Sequence, residues 1–230
     1  VVRLLFPAAA VGAALDAAAE GWGLLNLVGA PGWLAVAVSL LVLDLAIWAQ
    51  HLVFHKVPAL WRLHRVHHAD TEVDVSTAIR FHPVEIAISM ALKIGLVYAL
   101  GAPALAVVLF EVILNGCAMF NHANIRLPER VERPLRRLLI TPDLHRIHHS
   151  VRRAEHDTNF GFSVSWWDRL FGTYSDAPEG GQAGLVLGLP EWRDERPSRL
   201  LWSLANPWLG ADRAGGSAKT SVSPETPRSP

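Results

Sequence analysis

The sequence predicts an all-α protein: an integral membrane bundle of three to four spanning helices with a cytosolic helical cap that carries clustered histidines. Three observations predict this fold class. Hydrophobic residues make up 51% of the 230-residue chain, and its mean hydropathy of +0.25 is high for a water-soluble domain. Apolar runs of helical length recur along the chain. All eleven histidines fall between His51 and His156.

Three apolar runs are the candidate spans, and they lie at residues 33–54, 84–100 and 103–120. A spanning helix needs about 20 mainly apolar residues, so the last two runs are short. Gly101 and Pro103 indicate a turn between them. A buried hairpin of a water-soluble protein is the alternative for these two runs. Residues 1–30 are interrupted by Asp16 and Glu20, and they predict either a fourth, imperfect span or an interfacial segment.

Two charged residues interrupt the second and third apolar runs. Lys93 and Glu111 lie at similar distances along the chain from Gly101, and therefore at a similar depth in the bilayer. A charge buried in a membrane is costly and is usually paired. We therefore expect Lys93 and Glu111 to form an ion pair between the two helices.

Basic residues orient the predicted bundle in the membrane. Residues 56–80 and 126–169 together carry thirteen Lys or Arg, whereas the turns at 21–32 and 99–104 carry none. Cytoplasmic loops of membrane proteins are enriched in basic residues. The two basic stretches, and the histidine clusters with them, are therefore expected at the cytoplasmic face. The formal net charge of the whole chain is zero, so no nucleic-acid partner is predicted.

Most of the histidines fall into three tight groups, which are His51 with His55, an HxxHH triplet at 64–68 and a second HxxHH triplet at 145–149. Residues three or four apart on a helix share a face, so each group is expected to aim its imidazoles at a common point. His122 and His82 add two further candidate donors. The single cysteine, Cys117, excludes a thiolate-rich zinc site.

Ten imidazoles are too many for one transition-metal ion, and they suit two ions with coordination positions left open for oxygen species. The predicted ligands are His51, His55, His64, His67, His68, His82, His122, His145, His148 and His149. For His82, hydrogen bonding beside the site is an equal alternative, and His156 is expected to have a role other than ligation. Asp44 lies two helical turns before His51 and is expected either to orient His51 or His55, or to contact a neighbouring helix.

The ordered set of motifs resembles the fatty acid hydroxylase superfamily, and its sterol desaturase branch in particular. The resemblance covers residues of roughly 40 to 175. Its motifs are HxxxH at 51–55, WRLHRVHH at 61–68, RFHPVE at 80–85, NHAN at 121–124, HRIHHS at 145–150, DTNFG at 157–161 and WDRLFGT at 167–173. Some relatives have a second HxxxH where this chain has Ala118 four residues before His122, so the ligand count departs from that pattern.

The resemblance implies an oxygenase that uses O2 and two electrons to hydroxylate or desaturate a lipid, with two iron ions as cofactor and zinc as a substitute after purification. The predicted organisation is an N-terminal segment at 1–30, a catalytic domain at 31–175, a cytosolic extension at 176–209 and a disordered, Gly- and Ser-rich tail at 210–230. Further side chains expected around the ligands are Asn121, Asn124, Asp157 and Asn159.

The substrate and the electrons must both come from outside the chain. The sequence has no GxGxxG fingerprint, no CxxCH haem motif and too few cysteines for an iron–sulfur cluster. We expect an external donor, which is a ferredoxin, a cytochrome or a reductase, to dock on the basic residues within 126–153. The substrate is expected to be a lipid that enters from the bilayer, and sterol-like, fatty acyl, isoprenoid and ether lipids are all open.

Two other functions compete with the oxygenase. The first is a metal transporter or metal-binding membrane protein, whose ligands would lie near the bilayer midplane rather than at one end of the spans. The second is a zinc-dependent membrane hydrolase, for which so many imidazoles and so few carboxylates are less suitable. Metal analysis combined with O2 consumption distinguishes all three.

Overall fold

The computed structural model describes residues 2–210, and the side chains of residues 8–210. The regular structure of these residues is helical, with two isolated bridge pairs, Leu139 with Val164 and Ser150 with Leu187. The predicted all-α class is therefore confirmed. Of the tail predicted to be disordered, residues 211–230 lie outside the described residues.

Eleven α-helices follow one another along the described chain. They are α1 (Val2–Ala19), α2 (Leu24–Leu27), α3 (Gly32–Lys56), α4 (Pro58–His68), α5 (Pro83–Leu100), α6 (Ala104–Asn121), α7 (Glu129–Leu135), α8 (Pro142–His148), α9 (Arg153–His156), α10 (Trp166–Leu170) and α11 (Leu200–Ala205). Within the described residues, α3, α5 and α6 are long and apolar enough to cross a membrane. They coincide with the three predicted spans, while the role of α1 as a fourth span stays a prediction.

The helices α5 and α6 form the predicted hairpin. Helix α5 begins at Pro83, a position where the N–H that proline lacks has no helical partner to bond. It ends at Gly101, whose φ of 66° is the left-handed conformation that glycine adopts readily. Lys93 of α5 and Glu111 of α6 form an ion pair with side chains 7% and 12% exposed. The predicted pairing is therefore confirmed.

Small side chains join α1 to this hairpin. Ala10, Ala13 and Ala14 pack in one buried cluster with residues of α5 and α6 that include Val97 and Val107. Alanines let helices approach closely, which favours association in a bilayer, where burying apolar surface against another helix gains little over contact with lipid. Helix α3 also packs against both α5 and α6. The three spans thus form a connected frame.

The cap is built on the end of this frame at which α3 and α6 terminate and α5 begins. Helix α4 follows α3 after a single residue and packs against it. Helix α8 packs against α6, and its N-terminus is capped by the Thr141 hydroxyl, which accepts a hydrogen bond from the Leu144 N–H. Since α4 and α8 carry the two histidine triplets, this packing brings the triplets to the same end of the bundle.

Candidate metal centre

Nine imidazoles converge at the capped end of the bundle in two groups, each able to offer nitrogens that all lie within 4.8 Å of one another. The first histidine group is His51, His55, His64, His68 and His148. The second histidine group is His67, His122, His145 and His149. All nine are buried, with at most 4% of the residue exposed. The groups adjoin, since the ring centroids of His68 and His149 are 4.6 Å apart.

Each HxxHH triplet is divided between the two groups, so the prediction that a triplet aims at one common point was wrong. His64 and His68 belong to the first group, but His67 belongs to the second. In the other triplet the i, i+4 pair belongs to the second group and His148 to the first. Residues four apart lie nearly in line on a helix, whereas adjacent residues differ by about 100°. Each triplet therefore bridges the two groups.

Oxygen acceptors fix the rings of the first group. The Nδ1–H of His51 donates to the Phe160 carbonyl at 2.7 Å, and that of His148 donates to the Thr158 carbonyl at 2.7 Å. The Nδ1–H of His64 donates to the Glu85 carboxylate, also at 2.7 Å. In each neutral ring the Nε2 lone pair is then left free. Such outer hydrogen bonds are the usual way in which proteins orient histidine ligands to a metal.

The second group has one ring fixed in this manner. The Nδ1–H of His122 donates to the Ala118 carbonyl at 2.7 Å. Its Nε2 lies 3.1 Å from His67 Nε2 and 3.0 Å from His145 Nε2. The Nε2 atoms of His67 and His145 therefore both lie next to that of His122.

The facing nitrogens of His51 and His64 are the strongest sign of a cation. Their Nε2 atoms lie 3.0 Å apart, and both rings already use their Nδ1 protons on oxygen acceptors. Two lone pairs therefore face each other, an arrangement that repels unless a positive ion lies between them. A metal ion is the group that this arrangement fits.

Unpaired nitrogens in the clusters support the same conclusion. A buried polar atom without a partner costs free energy, so it is unusual for several to be found together. Within the described residues, the buried cluster nitrogens that make no hydrogen bond are His55 Nδ1 and Nε2, His67 Nδ1, His68 Nε2, His145 Nδ1, His148 Nε2, and His149 Nδ1 and Nε2. A metal ion would use a lone pair from each of these rings.

Burial keeps the imidazoles outside the spans neutral. It lowers the pKa of His64 to about 3 and that of His122 to about 4. Burial, followed by neighbouring imidazoles, also holds the pKa of the other cap histidines in the two groups well below 6.5; these are His67, His68, His145, His148 and His149. Neutral rings keep the lone pair that a metal needs, so the centre is ready to bind a metal at neutral pH.

His82 lies outside both groups. Its Nδ1 accepts a hydrogen bond from the Val84 N–H, and its Nε2–H donates to the Leu204 carbonyl at 3.2 Å. Both ring nitrogens are therefore engaged, in capping α5 and in holding residue 204. We leave His82 out of the proposed ligand set, in line with the hydrogen-bonding alternative.

Asp44 contacts the cap rather than a histidine. It accepts a hydrogen bond from the Trp167 indole at 2.8 Å. In return, the Trp48 indole of α3 donates to Asp168 of α10 at 3.0 Å. We call this reciprocal pair of contacts the indole lock. The orienting role predicted for Asp44 is corrected to the alternative, a contact with a neighbouring helix, and it holds α10 against α3.

The other residues predicted to lie around the ligands make different contacts. Asp157 pairs with the Lys56 ammonium at 2.9 Å and lies 3.5 Å from His55 Nδ1, with which it makes no hydrogen bond. Asn159 is buried and donates to the Leu144 carbonyl of α8. Asn121 donates to the Phe162 carbonyl, and Asn124 is exposed. These asparagines support or flank the loops around the centre rather than its rings.

Two carboxylates near the centre were not singled out from the sequence. Glu85 bonds His64 directly, and its signal was an acid placed three residues after His82 at the start of a span. Asp168 accepts hydrogen bonds from the backbone N–H groups of Phe160 and Gly161 at 2.8 Å. It therefore holds in place the carbonyl that orients His51, and burial raises the pKa of the Asp168 carboxyl.

A third, smaller group lies at the edge of the first and contains His55, His156 and Asp157. The His156 ring stacks on Trp61, with centroids 5.3 Å apart and planes 15° apart. Its Nε2 is 3.9 Å from Asp157, beyond hydrogen-bonding distance. The prediction that His156 has a role other than ligation is consistent with this stacking.

A cavity of about 150 Å³ opens beside the first group, between α3, α5 and α6. This volume has room for roughly ten water-sized groups. His51 and His64 line it at the capped end, and its apolar lining includes Phe54, Ile86 and Met90. The cavity therefore lies between the three candidate spans, with the imidazoles at its capped end.

Three apolar spanning helices and a buried all-imidazole centre at one end define the class: an integral membrane protein built to bind metal ions. The fatty acid hydroxylase family model matches residues 36–173, and the chain belongs to this family. The family is one of metal-dependent oxygenases. No solved structure matches the chain significantly.

Curated relatives come from bacteria and animals. The chain is 31% identical to an ornithine lipid hydroxylase of Rhizobium tropici over 62% of its length and 42% of the relative's. It is 28% identical to the human alkylglycerol monooxygenase, over 73% of this chain and 36% of that protein. It is also 28% identical to the cholesterol 25-hydroxylase of Rattus norvegicus, over 62% and 47%. The chain thus spans less than half the length of these relatives.

Proposed function

We infer that this chain is a membrane-bound di-iron oxygenase that uses O2 and two electrons to hydroxylate or desaturate a lipid. The observation that carries this proposal is the facing pair of His51 and His64 nitrogens at the mouth of an intramembrane cavity. The relatives named as lipid hydroxylases and monooxygenases support the same reaction class. A hydroxylation balances as one C–H bond, O2, two electrons and two protons giving one alcohol and one water.

The ligand set favours two redox metal ions over one structural zinc ion. Structural zinc is nearly always held by four ligands, usually including cysteine thiolates. The centre instead offers nine buried imidazoles in two adjoining groups, and imidazole is a good ligand for iron. Two iron ions, held by the first and second histidine groups, are therefore the proposed cofactor.

The chain's own residues orient the histidine ligands and form the apolar lining of the cavity. Bound iron would supply the activation of O2 that an unreactive C–H bond requires. The Glu85 carboxylate holds the Nδ1 proton of His64 and so keeps the Nε2 lone pair directed at the metal. The apolar side chains of the cavity exclude water and hold a lipid carbon next to His51 and His64. Asp168 maintains the loop whose carbonyl orients His51.

The centre is proposed to lie at the cytoplasmic face. The cap is the part of the chain that carries the basic stretches at 56–80 and 126–169, and cytoplasmic segments are enriched in Lys and Arg. Exposed arginines on the cap, among them Arg126, Arg130 and Arg137, give a donor protein with an acidic surface a place to dock. Reversing these three charges together should lower donor-dependent turnover and leave the metal content unchanged.

One experiment separates the oxygenase from its rivals. The purified protein, reloaded with iron and reconstituted with a lipid extract and a chemical reductant, should consume O2 and yield lipids with one added oxygen or one fewer pair of hydrogens. The matched control is His64→Ala, which removes a cavity-facing imidazole. O2-independent hydrolysis products, or metal transport into sealed vesicles without O2 uptake, would contradict the proposal in favour of the hydrolase or the transporter.

A further inference from the structure

The cavity beside the first histidine group has a polar far end within the membrane. Lys93, Glu111 and Asn115 line that end, and Gln50 and Ser89 line the cavity between it and the imidazoles. Lys93 lies ten residues into α5, and Glu111 lies ten residues before the end of α6. Ten helical residues rise about 15 Å, which is half the thickness of the hydrocarbon layer. Lys93 and Glu111 therefore lie near the bilayer midplane.

The charges at this depth neutralise each other. Lys93 and Glu111 form a direct ion pair, and the Asn115 amide donates to the Glu111 backbone carbonyl at 2.8 Å. Adding a net charge next to this pair would be costly in hydrocarbon. The site therefore suits an uncharged group and excludes a phosphate, a carboxylate or an ammonium.

One buried polar atom of the cavity wall lacks a hydrogen-bond partner. The Gln50 amide nitrogen donates to the Ser89 hydroxyl, but the amide oxygen, Gln50 Oε1, is buried and accepts no hydrogen bond from the described residues. If the amide is turned over, its nitrogen becomes the unpaired atom instead. A group that both donates and accepts satisfies either orientation. A hydroxyl does both, whereas an ester or ether oxygen can only accept.

The distance between Gln50 and the imidazoles sets where such a lipid would be oxidised. Glu85, which bonds His64, and Ser89, which bonds Gln50, lie four residues apart on α5. Four helical residues rise about 6 Å. An extended chain advances roughly 1.2 Å per bond, so about five bonds span this distance.

We propose that Gln50 and Ser89, above the neutral Lys93–Glu111 pair, form a subsite for the hydroxyl group of a neutral lipid alcohol, whose carbon about five bonds away lies against His51 and His64. The inference rests on the proposed function and narrows its substrate class. It excludes lipids whose charged headgroup must enter the cavity, and it predicts oxidation about five bonds from the hydroxyl.

Photo-crosslinking tests the subsite without requiring turnover. The full chain is reconstituted in phosphatidylcholine nanodiscs with either a diazirine-bearing hexadecan-1-ol or its methyl ether, which has lost the donor hydrogen. The wild-type protein should capture the alcohol about fivefold more than the ether, the effect expected from one hydrogen bond to a buried polar atom. The crosslinked peptides should come from α3, α5 and α6.

Two variants tie the preference to Gln50. Gln50→Met keeps the side-chain length but removes both polar atoms, so alcohol and ether should be captured equally. Ser39→Ala removes another buried hydroxyl of α3 that does not line the cavity, and it should keep the preference. Equal capture by the wild-type protein, or an unchanged preference in Gln50→Met, would overturn the subsite.

The two proposals fail in distinguishable ways. A protein that prefers the alcohol but never oxidises lipid after iron loading would retain the subsite and disprove the oxygenase. A protein that oxidises lipid but captures alcohol and ether equally would retain the oxygenase and disprove the subsite.

Discussion

The two histidine groups differ in what surrounds them. The first borders the intramembrane cavity through His51 and His64, whereas, among the described residues, no imidazole of the second lines it. Oxygen acceptors fix three rings of the first group but only His122 in the second. A centre with two similar ligand sets thus has one side that faces the cavity. The contacts that orient the rings are concentrated on that side.

Removing one imidazole from each group is the most severe test of this comparison. His51→Ala and His145→Ala should each reduce bound iron from about two ions per chain to about one. Turnover should fall at least 100-fold in both, since removing a ligand should exceed the 10- to 100-fold losses typical of changes around a metal site. Metal analysis and lipid oxidation are measured on the same samples. His82→Ala, outside both groups, is the control, and its loss of an ion would contradict the assignment.

Glu85 sharpens the comparison because it orients a ring of the first group alone. Glu85→Gln keeps the side-chain shape but replaces the carboxyl partner of the His64 ring by an amide. The affinity for the ion held by the first histidine group should fall about 10- to 100-fold, the usual effect of losing a partner of a metal ligand. Iron retention during titration with a chelator measures this, and the exposed Glu72→Gln is the matched control. Equal weakening of both ions would show that the groups are not independently supported.

Blocking the cavity should affect the substrate and leave both groups intact. Leu114→Trp fills the cavity beside Asn115, and we expect about tenfold lower turnover with unchanged iron content, in the range of a small misplacement of substrate. Its neighbour Ile113 is 42% exposed on the outer face of α6, so Ile113→Trp is the control. Lipid oxidation at several substrate concentrations provides the readout. If both tryptophans behave alike, the cavity is not the route to the first group.

The smallest expected effect is on the pH dependence of the metal-free protein. His64 and His122 have folded-state pKa values of about 3 and about 4, below the ordinary 6.5. Between these values and pH 6.5 the unfolded chain binds more protons, so stability is full above pH 6.5 and is lost as the pH falls. Each histidine should contribute about 1.4 kcal/mol per pH unit.

Thermal unfolding in detergent with a chelator, between pH 7 and pH 5, measures this slope. His64→Gln and His122→Gln should each reduce this slope by the contribution of one proton, about 1.4 kcal/mol per pH unit. The two variants test one ring from each group. A slope that neither variant changes would show that these rings are already protonated in the folded state.

The sequence was sufficient for the frame and for the convergence of the histidines. Apolar length located α3, α5 and α6, and similar distances from Gly101 predicted the pairing of Lys93 with Glu111. These features follow from the rise of a helix and the thickness of a bilayer, which are nearly constant. Nine of the ten predicted ligands meet at one end of the bundle for the same reason.

Contacts between distant parts of the chain were not predictable in this way. Helical spacing shows which residues share a face, but the packing of α4 and α8 decides that His67 and His68 enter different groups. No periodicity connects Glu85 with His64, or Trp167 with Asp44, because each contact depends on how two elements pack. The roles of His82 and Asp44 were assigned less well than the triplets for this reason.

The indole lock has a consequence for how the protein matures. His51 gains its acceptor from Phe160, 109 residues later in the chain, and Phe160 is held by Asp168, which is itself tied to Trp48. The hydrogen bond that orients His51 therefore cannot form when α3 first enters the bilayer. It is completed only after residue 168 has left the ribosome and α10 has docked. Iron delivery should therefore be a late, post-translational step, and chains truncated before α10 should insert without acquiring a full complement of metal.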